Sequence, residues 1–205
     1  MLRRETLYTR HAGFSLIEVL ITVVIAGILL LFGVPALQAV MAHRRHEGFA
    51  RSIAMLCHRA RHESLKRGAP AVLGLENGAM IAFVDVNGAS PGDPPDGVYN
   101  PDTSLPDGTD YMIGEHRVPS HLFMEGPGGS PAADGFTDFG GGVVRAVFDP
   151  DGSIRQTGAF RVRDERGNFL EVRVEPQATA RIDLRKWNGT AWQAQGEGGS
   201  TWDWI

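Results

Sequence analysis

A single cysteine, Cys57, stands in the 205 residues, so no disulfide can close within the chain and a stapled secreted scaffold is excluded. No charged residue lies between Glu18 and His43. Bases are almost missing from residues 68–140, where Arg117 stands alone against eleven acids, a net of −10. Nucleophile-elbow and phosphate-loop patterns, and the ligand spacings of a catalytic metal site, are absent too. His116, Ser120 and His121 lie near one another, but without such a pattern they do not make a hydrolase. No enzymatic activity, cofactor or metal site is expected.

What is present is unevenly placed. A net charge of −4 and 42% hydrophobic content hide distinct blocks. Residues 1–13 hold Arg3, Arg4 and Arg10 against Glu5. Residues 43–67 carry seven bases against two acids, with His43, His46, His58 and His62 among them, and residues 141–205 hold nine charges of each sign. The order is a basic leader, an apolar run, a basic stem, an acidic stretch and a balanced end. The length suits one ordinary domain with an appendage.

The charge-free run, residues 19–42, would measure about 36 Å as a helix, enough to cross a bilayer's hydrocarbon core. Its basic flank predicts a cytoplasmic N-terminus. The run is too long for a secretory signal, and no small-residue cleavage site follows it. Glu18, just inside the apolar segment, would cost roughly 2.5–3.5 kcal/mol on insertion, and residues that bear such a cost are usually functional. The hydroxyls of Ser15 and Thr22 are expected to bond back to the helix.

Gly13-Phe14-Ser15-Leu16-Ile17-Glu18-Val19-Leu20, after a short basic leader and before a long apolar run, resembles the class III signal of type IV pilins and pseudopilins. The resemblance implies that a membrane-embedded prepilin peptidase cuts after Gly13 and methylates the new amine of Phe14. Glu18 then matches the glutamate at the fifth position of the mature chain. Pro35, which lacks an N–H and should weaken or kink the helix, falls where many members also carry a proline. In a growing filament the amine would pair with Glu18 of a neighbouring subunit. The pair would offset the desolvation that either charge suffers alone and set the axial register.

Residues 38–67 continue the helix. Phe49, Ile53, Leu56 and Ala60 recur at spacings of 4, 3 and 4, with Cys57 and Ser64 on the same side, so this stripe should pack on a sheet. Gly68-Ala69-Pro70 ends the helix. Cys57 is then a small buried hydrophobe. The basic faces read as a solvated helix near anionic lipid headgroups, or as a nucleic-acid surface.

Beyond Pro70 the chain reads as β structure broken by loops. Strands are expected over 71–75, 80–86, 118–124, 143–149, 153–162, 169–175 and 178–186. Asp149-Pro150-Asp151-Gly152 should turn a hairpin, with proline setting φ and glycine taking the left-handed position. Arg166-Gly167-Asn168 looks like a second turn. Eight of the twelve prolines fall between Pro91 and Pro131, which predicts long surface loops over 87–110 and 125–142.

The stem helix, Asp85-Val86-Asn87-Gly88, a long loop and Phe148-Asp149-Pro150-Asp151-Gly152-Ser153 resemble the GspH/FimT branch of minor pseudopilins and minor pilins. Ala180-Arg181-Ile182-Asp183-Leu184 is similar to that branch's closing strand. The resemblance implies an α+β fold: a long N-terminal α-helical spine, its first half transmembrane, packed on a C-terminal antiparallel β-sheet or β-sandwich head. It also implies a low-copy position near a filament tip. The expected organisation is a leader (1–13), a membrane and filament-core helix (14–42), a basic amphipathic helix (43–67), a head (68–186) and a Trp-rich extension (187–205). The last could form an extra hairpin, a contact surface, or an aromatic cover over an open sheet.

The implied setting is a bacterial inner membrane, with the N-terminus cytoplasmic, the head periplasmic, and later incorporation into a periplasmic or surface filament. Implied partners are other pilins or pseudopilins, the prepilin peptidase, the inner-membrane assembly platform and membrane lipid. Asp85, Asn87, Asp93 and Asp96 are weak calcium candidates, because Ala89 stands where a helix-loop-helix site needs a third ligand. Some branch members bind DNA through a Gly-Arg-x-Arg stretch; here Ala180-Arg181-Ile182-Asp183 stands in its place. Arg181, Arg185 and Lys186 remain candidate phosphate contacts, weakened by Asp183 and by the acidic block. Two functions follow: a filament-assembly subunit for type II secretion or a type IV pilus, and alternatively a DNA receptor in natural transformation.

Overall fold

The computed structural model describes residues 15–86, 96–100 and 110–194. The chain divides into two compact units, residues 1–42 and 43–205. The described part of the first is the beginning of α1 (Leu16–Arg67). In the second, the remainder of α1 lies against two antiparallel sheets. The fold is α+β and compatible with a pilin-like one.

Phe49, Ile53, Leu56, Cys57, Ala60 and Ser64 are all buried, the face that their 3.6-residue period predicts. His46 and Ala50 belong to the same stripe and are fully buried. The helix ends where Gly68 adopts φ 64° and donates its N–H to the Ser64 carbonyl at 2.9 Å, with Pro70 unable to continue it. Burial pushes the Cys57 thiol up to about 12, so it behaves as a hydrophobe.

β1 (Ala71–Glu76) and β2 (Ala79–Val84) form a hairpin. Asn77 (φ 49°) and Gly78 (φ 74°) supply the two left-handed positions that a two-residue turn needs. The strands that follow are β3 (Tyr111–Arg117), β4 (Leu122–Phe123), β5 (Ala133–Asp134), β6 (Thr137–Asp138), β7 (Val144–Phe148), β8 (Gly158–Asp164), β9 (Phe169–Val174), β10 (Ile182–Trp187) and β11 (Trp192–Ala194). One sheet runs β3-β2-β1-β7-β6; the other runs β11-β10-β9-β8-β4, with β5 also on β8.

Strand alternation decides which side chains meet. Leu73, Met80, Val84 and Phe148 of the first sheet join Phe160, Val162, Leu170 and Val172 of the second and the helix stripe in one cluster. Each such side chain contributes about 1.5–3 kcal/mol when fully buried. On the outer face of the first sheet, Val72, Ile81, Phe83 and Val147 pack under Tyr99 and Phe139.

Several expectations needed correction. Of the strand expected over 118–124 only the two-residue β4 forms, and β3, which was not expected, precedes it and ends at Arg117. Between them a turn closes from the Leu122 N–H to the Pro119 carbonyl at 2.9 Å. The loop over 125–142 contains β5, β6 and a 3-10 turn at Pro127–Gly129. The strand expected from 153 starts at Gly158, and only an isolated bridge pairs Ile154 with Phe148. The last expected strand begins at Ile182, because residues 177–180 form a turn closed by Ala180 N–H on the Pro176 carbonyl. The turn at 149–152 forms as expected: Gly152 (φ 79°) donates to the Asp149 carbonyl at 2.8 Å. Gly167 (φ 82°) closes the second turn on Asp164. In the extension, β11 pairs with β10, with Trp187 and Trp192 edge to face at 5.3 Å. The described part of the extension, residues 187–194, is thus a hairpin strand, and residues 195–205 lie outside the described residues.

Candidate functional site

The start of α1 is organised by two residues. The Ser15 hydroxyl accepts the Glu18 N–H at 3.3 Å, and the Ser15 carbonyl accepts the same N–H at 3.0 Å. A serine cap followed three residues later by glutamate is the arrangement that satisfies otherwise orphaned first-turn donors. Thr22 donates its hydroxyl to the Val19 carbonyl at 2.8 Å. Both hydroxyls therefore serve the helix. The carboxylate of Glu18 is exposed and has no ion-pair partner among the described residues; it sits near the helix's positive end, where a negative charge is favoured.

Around and beyond Glu18 the helix is apolar on every side. Leu16 is 83% exposed and Leu31 71%, and Ile17, Leu20, Val23, Ile25, Ile28 and Leu29 are exposed as well. A helix hydrophobic all round belongs in a protein core or in a membrane, not in water. Among the described residues no helix is both long and apolar enough to cross a membrane. The charge-free run of the sequence includes positions 32–36 and 39, whose side chains lie outside the described residues. Pro35 is one of these; Gly13 and Phe14 also lie outside the described residues.

The candidate phosphate contacts are separated. Arg161, Glu171 and Arg185 stand directly opposite one another across β8, β9 and β10. Glu171 is fully buried, with Arg161 Nε at 3.5 Å and Arg185 Nη1 at 4.0 Å. Burial pushes its carboxyl above the usual value against the pull of Arg173, Arg161 and Arg185. Arg185 also pairs with Glu175, which Arg173 Nε reaches at 2.7 Å. Arg181 is 68% exposed but paired with Asp183 Oδ2 at 2.6 Å. Lys186 lies on the opposite strand face from Arg185, where it adds to the desolvation that lowers the His43 pKa. The three cations thus do not form one free patch.

Of the calcium candidates, Asn87 and Asp93 lie outside the described residues. Asp85 is buried and accepts the Gly97 N–H, while Asp96 accepts the Val98 N–H at 2.8 Å in a local turn. Among the described residues no three His, Cys, Asp or Glu side chains converge on a metal.

Sequence reasoning missed His46, whose ring nitrogen Nε2 lies 3.1 Å from the Val162 carbonyl oxygen. Its place three residues before Phe49 was the available signal. It also missed Glu171, which alternation within 169–175 puts opposite Leu170 and Val172, on the face away from the core.

Residues 8–34 match the family model of the prokaryotic N-terminal methylation motif. The chain carries a type IV pilin-like prepilin signal. Proteins with this motif are processed by a prepilin peptidase and assemble with other pilins. The matched segment takes in the Ser15 cap, Glu18 and the all-round apolar part of α1. No curated protein and no solved structure matches the chain.

Proposed function

We propose that this chain is a non-enzymatic minor pseudopilin or minor pilin of the GspH/FimT branch. Prepilin peptidase cleaves between Gly13 and Phe14 and methylates Phe14. Before assembly the protein is held in the inner membrane by the helix over residues 14–42, N-terminus inside. It then enters a type II secretion pseudopilus or a type IV pilus near the tip. The observation that supports this reading best is the capped helix start at Ser15, where Glu18, without an ion-pair partner among the described residues, precedes an apolar surface. Packed among neighbouring helices, that surface is covered, and Glu18 is left to pair with a neighbour's N-terminal amine.

The test compares variants in a host that has a prepilin peptidase. Gly13→Ala should leave a full-length precursor, whereas Glu18→Ala should be cleaved, with N-methylphenylalanine at its terminus by mass spectrometry, yet be depleted from sheared filaments. Normal processing of Gly13→Ala would overturn the peptidase assignment. Normal incorporation of Glu18→Ala would overturn the assembly role. In a deletion strain, loss of surface pili assigns a pilus, and loss of secreted protein with normal piliation assigns a secretion machine. The alternative, DNA uptake, draws no support from Arg185, which two carboxylates already engage.

A further inference from the structure

We propose that Met55, His58 and His62 form a binding site for monovalent copper on α1. They fall at i, i+3 and i+7, hence on one helix face. All three line a groove of about 380 Å³ whose other wall is Tyr111 and Ile113 of β3. Met55 is 54% exposed, although a large apolar side chain gains by burial, and both imidazoles are exposed. None of the three makes a hydrogen bond or ion pair among the described residues. Of the two charged residues that also line the groove, Arg59 is exposed and Glu63 takes Arg67 Nε at 2.8 Å and Lys66 Nζ at 3.4 Å. The Arg67 guanidinium in turn lies 3.6 Å from the centre of the Tyr111 ring, which holds that end of the groove.

The donor set decides the metal. Two imidazoles four residues apart would suit zinc, nickel or copper, but a thioether adds affinity only for a soft ion, which among these is Cu(I). Charge argues the same way. Residues 43–67 carry seven bases against two acids, and a single positive charge is repelled half as strongly as a double one. The imidazoles ligate in their neutral form, so protons compete with the metal for them.

The test uses the full chain in detergent at neutral pH, without oxygen, with ascorbate and a chromophoric Cu(I) chelator as competitor. The protein should withhold one equivalent of copper. His58→Ala and His62→Ala should each weaken this by at least about tenfold, as loss of a ligand does. Met55→Leu should weaken Cu(I) binding by a similar factor and leave Ni²⁺ retention, which needs only the imidazoles, within about twofold. Cys57→Ala should change nothing, since that thiol is buried. These three ligand positions are exposed, so matching thermal melts should show the variants folded. The proposal fails if the parent withholds no copper, if the double variant His58→Ala/His62→Ala withholds as much as the parent, or if Met55→Leu leaves Cu(I) binding unchanged.

Discussion

Asp85 Oδ2 accepts the Gly97 N–H at 2.7 Å from a fully buried position just past β2. Asp110 makes the complementary tie: its oxygens accept the N–H of Val86 at 3.0 Å and of Asn100 at 2.8 Å. Two carboxylates thus hold residues 96–100 against the end of the β1–β2 hairpin. Asp85, a calcium candidate in the sequence, acts here as a loop staple.

The buried Asp85 carboxyl is pushed up to about 6, first by desolvation and then by Asp110 and Asp96, against the Gly97 bond. A raised carboxyl pKa means that the native state holds a proton which the unfolded state has already lost. Its contribution to stability is therefore complete below the ordinary carboxylate range and disappears as pH rises through about 6. Asp85→Asn keeps an acceptor for Gly97 and removes the charge. It should raise the melting temperature at pH 7.5, and the gain should vanish near pH 4. Tryptophan-fluorescence melts at both pH values check this, and an equal gain at each would sink it.

His46 has the opposite linkage. Desolvation lowers its pKa below 6.5, against the Val162 carbonyl and the Asp164 and Glu47 charges, while His43 adds to the lowering. Stability from a neutral buried imidazole is present above that value and is lost as pH falls below it. Between pH 7.5 and 5.5 the parent should lose stability relative to His46→Gln, which does not titrate. Parallel pH profiles for the two proteins would contradict this.

At residue 158 a Cβ would stand 2.4 Å from the Asp134 carbonyl oxygen and 2.6 Å from the Phe136 ring. The close approach lets β5 pair with β8 at Asp134↔Ala159. Gly158→Ala should destabilise the head by about 1–3 kcal/mol through forced backbone shifts. Chemical denaturation measures it, and a change within error would mean that β5 moves freely.

Arg185→Ala would leave Glu171 buried with a weaker set of partners, and should cost about 3 kcal/mol. Arg181→Ala removes only an exposed pair and should stay within about 0.5 kcal/mol. Equal losses would show that the Arg161–Glu171–Arg185 row is not structural.

How much of this could be read along the chain depended on range. The stripe of α1, the Gly68 stop and the Asp149–Gly152 turn depend on neighbours within a few residues, so their periodicity and turn chemistry were enough. Asn77-Gly78, flanked by apolar runs, was an equally local hairpin signal that the strand pattern alone passed over. β3 was hidden for another reason. As an edge strand it packs one side only, and Tyr-Met-Ile-Gly-Glu-His-Arg lacks clean alternation. β5 and β6 exist because β8 and β7 offer partners, not because two residues prefer to be extended.

The prepilin-like signal is therefore a property of sequence alone, because it lies within one contiguous stretch, residues 8–34. Which charges are free is not. Arg185 and Arg181 differ little in type or spacing, yet one is held by Glu171 and Glu175 and the other is largely exposed. Strand register decides that difference, by setting Arg161, Glu171 and Arg185 side by side from three separate segments. The desolvation that fixes their behaviour arises only when the sheet closes.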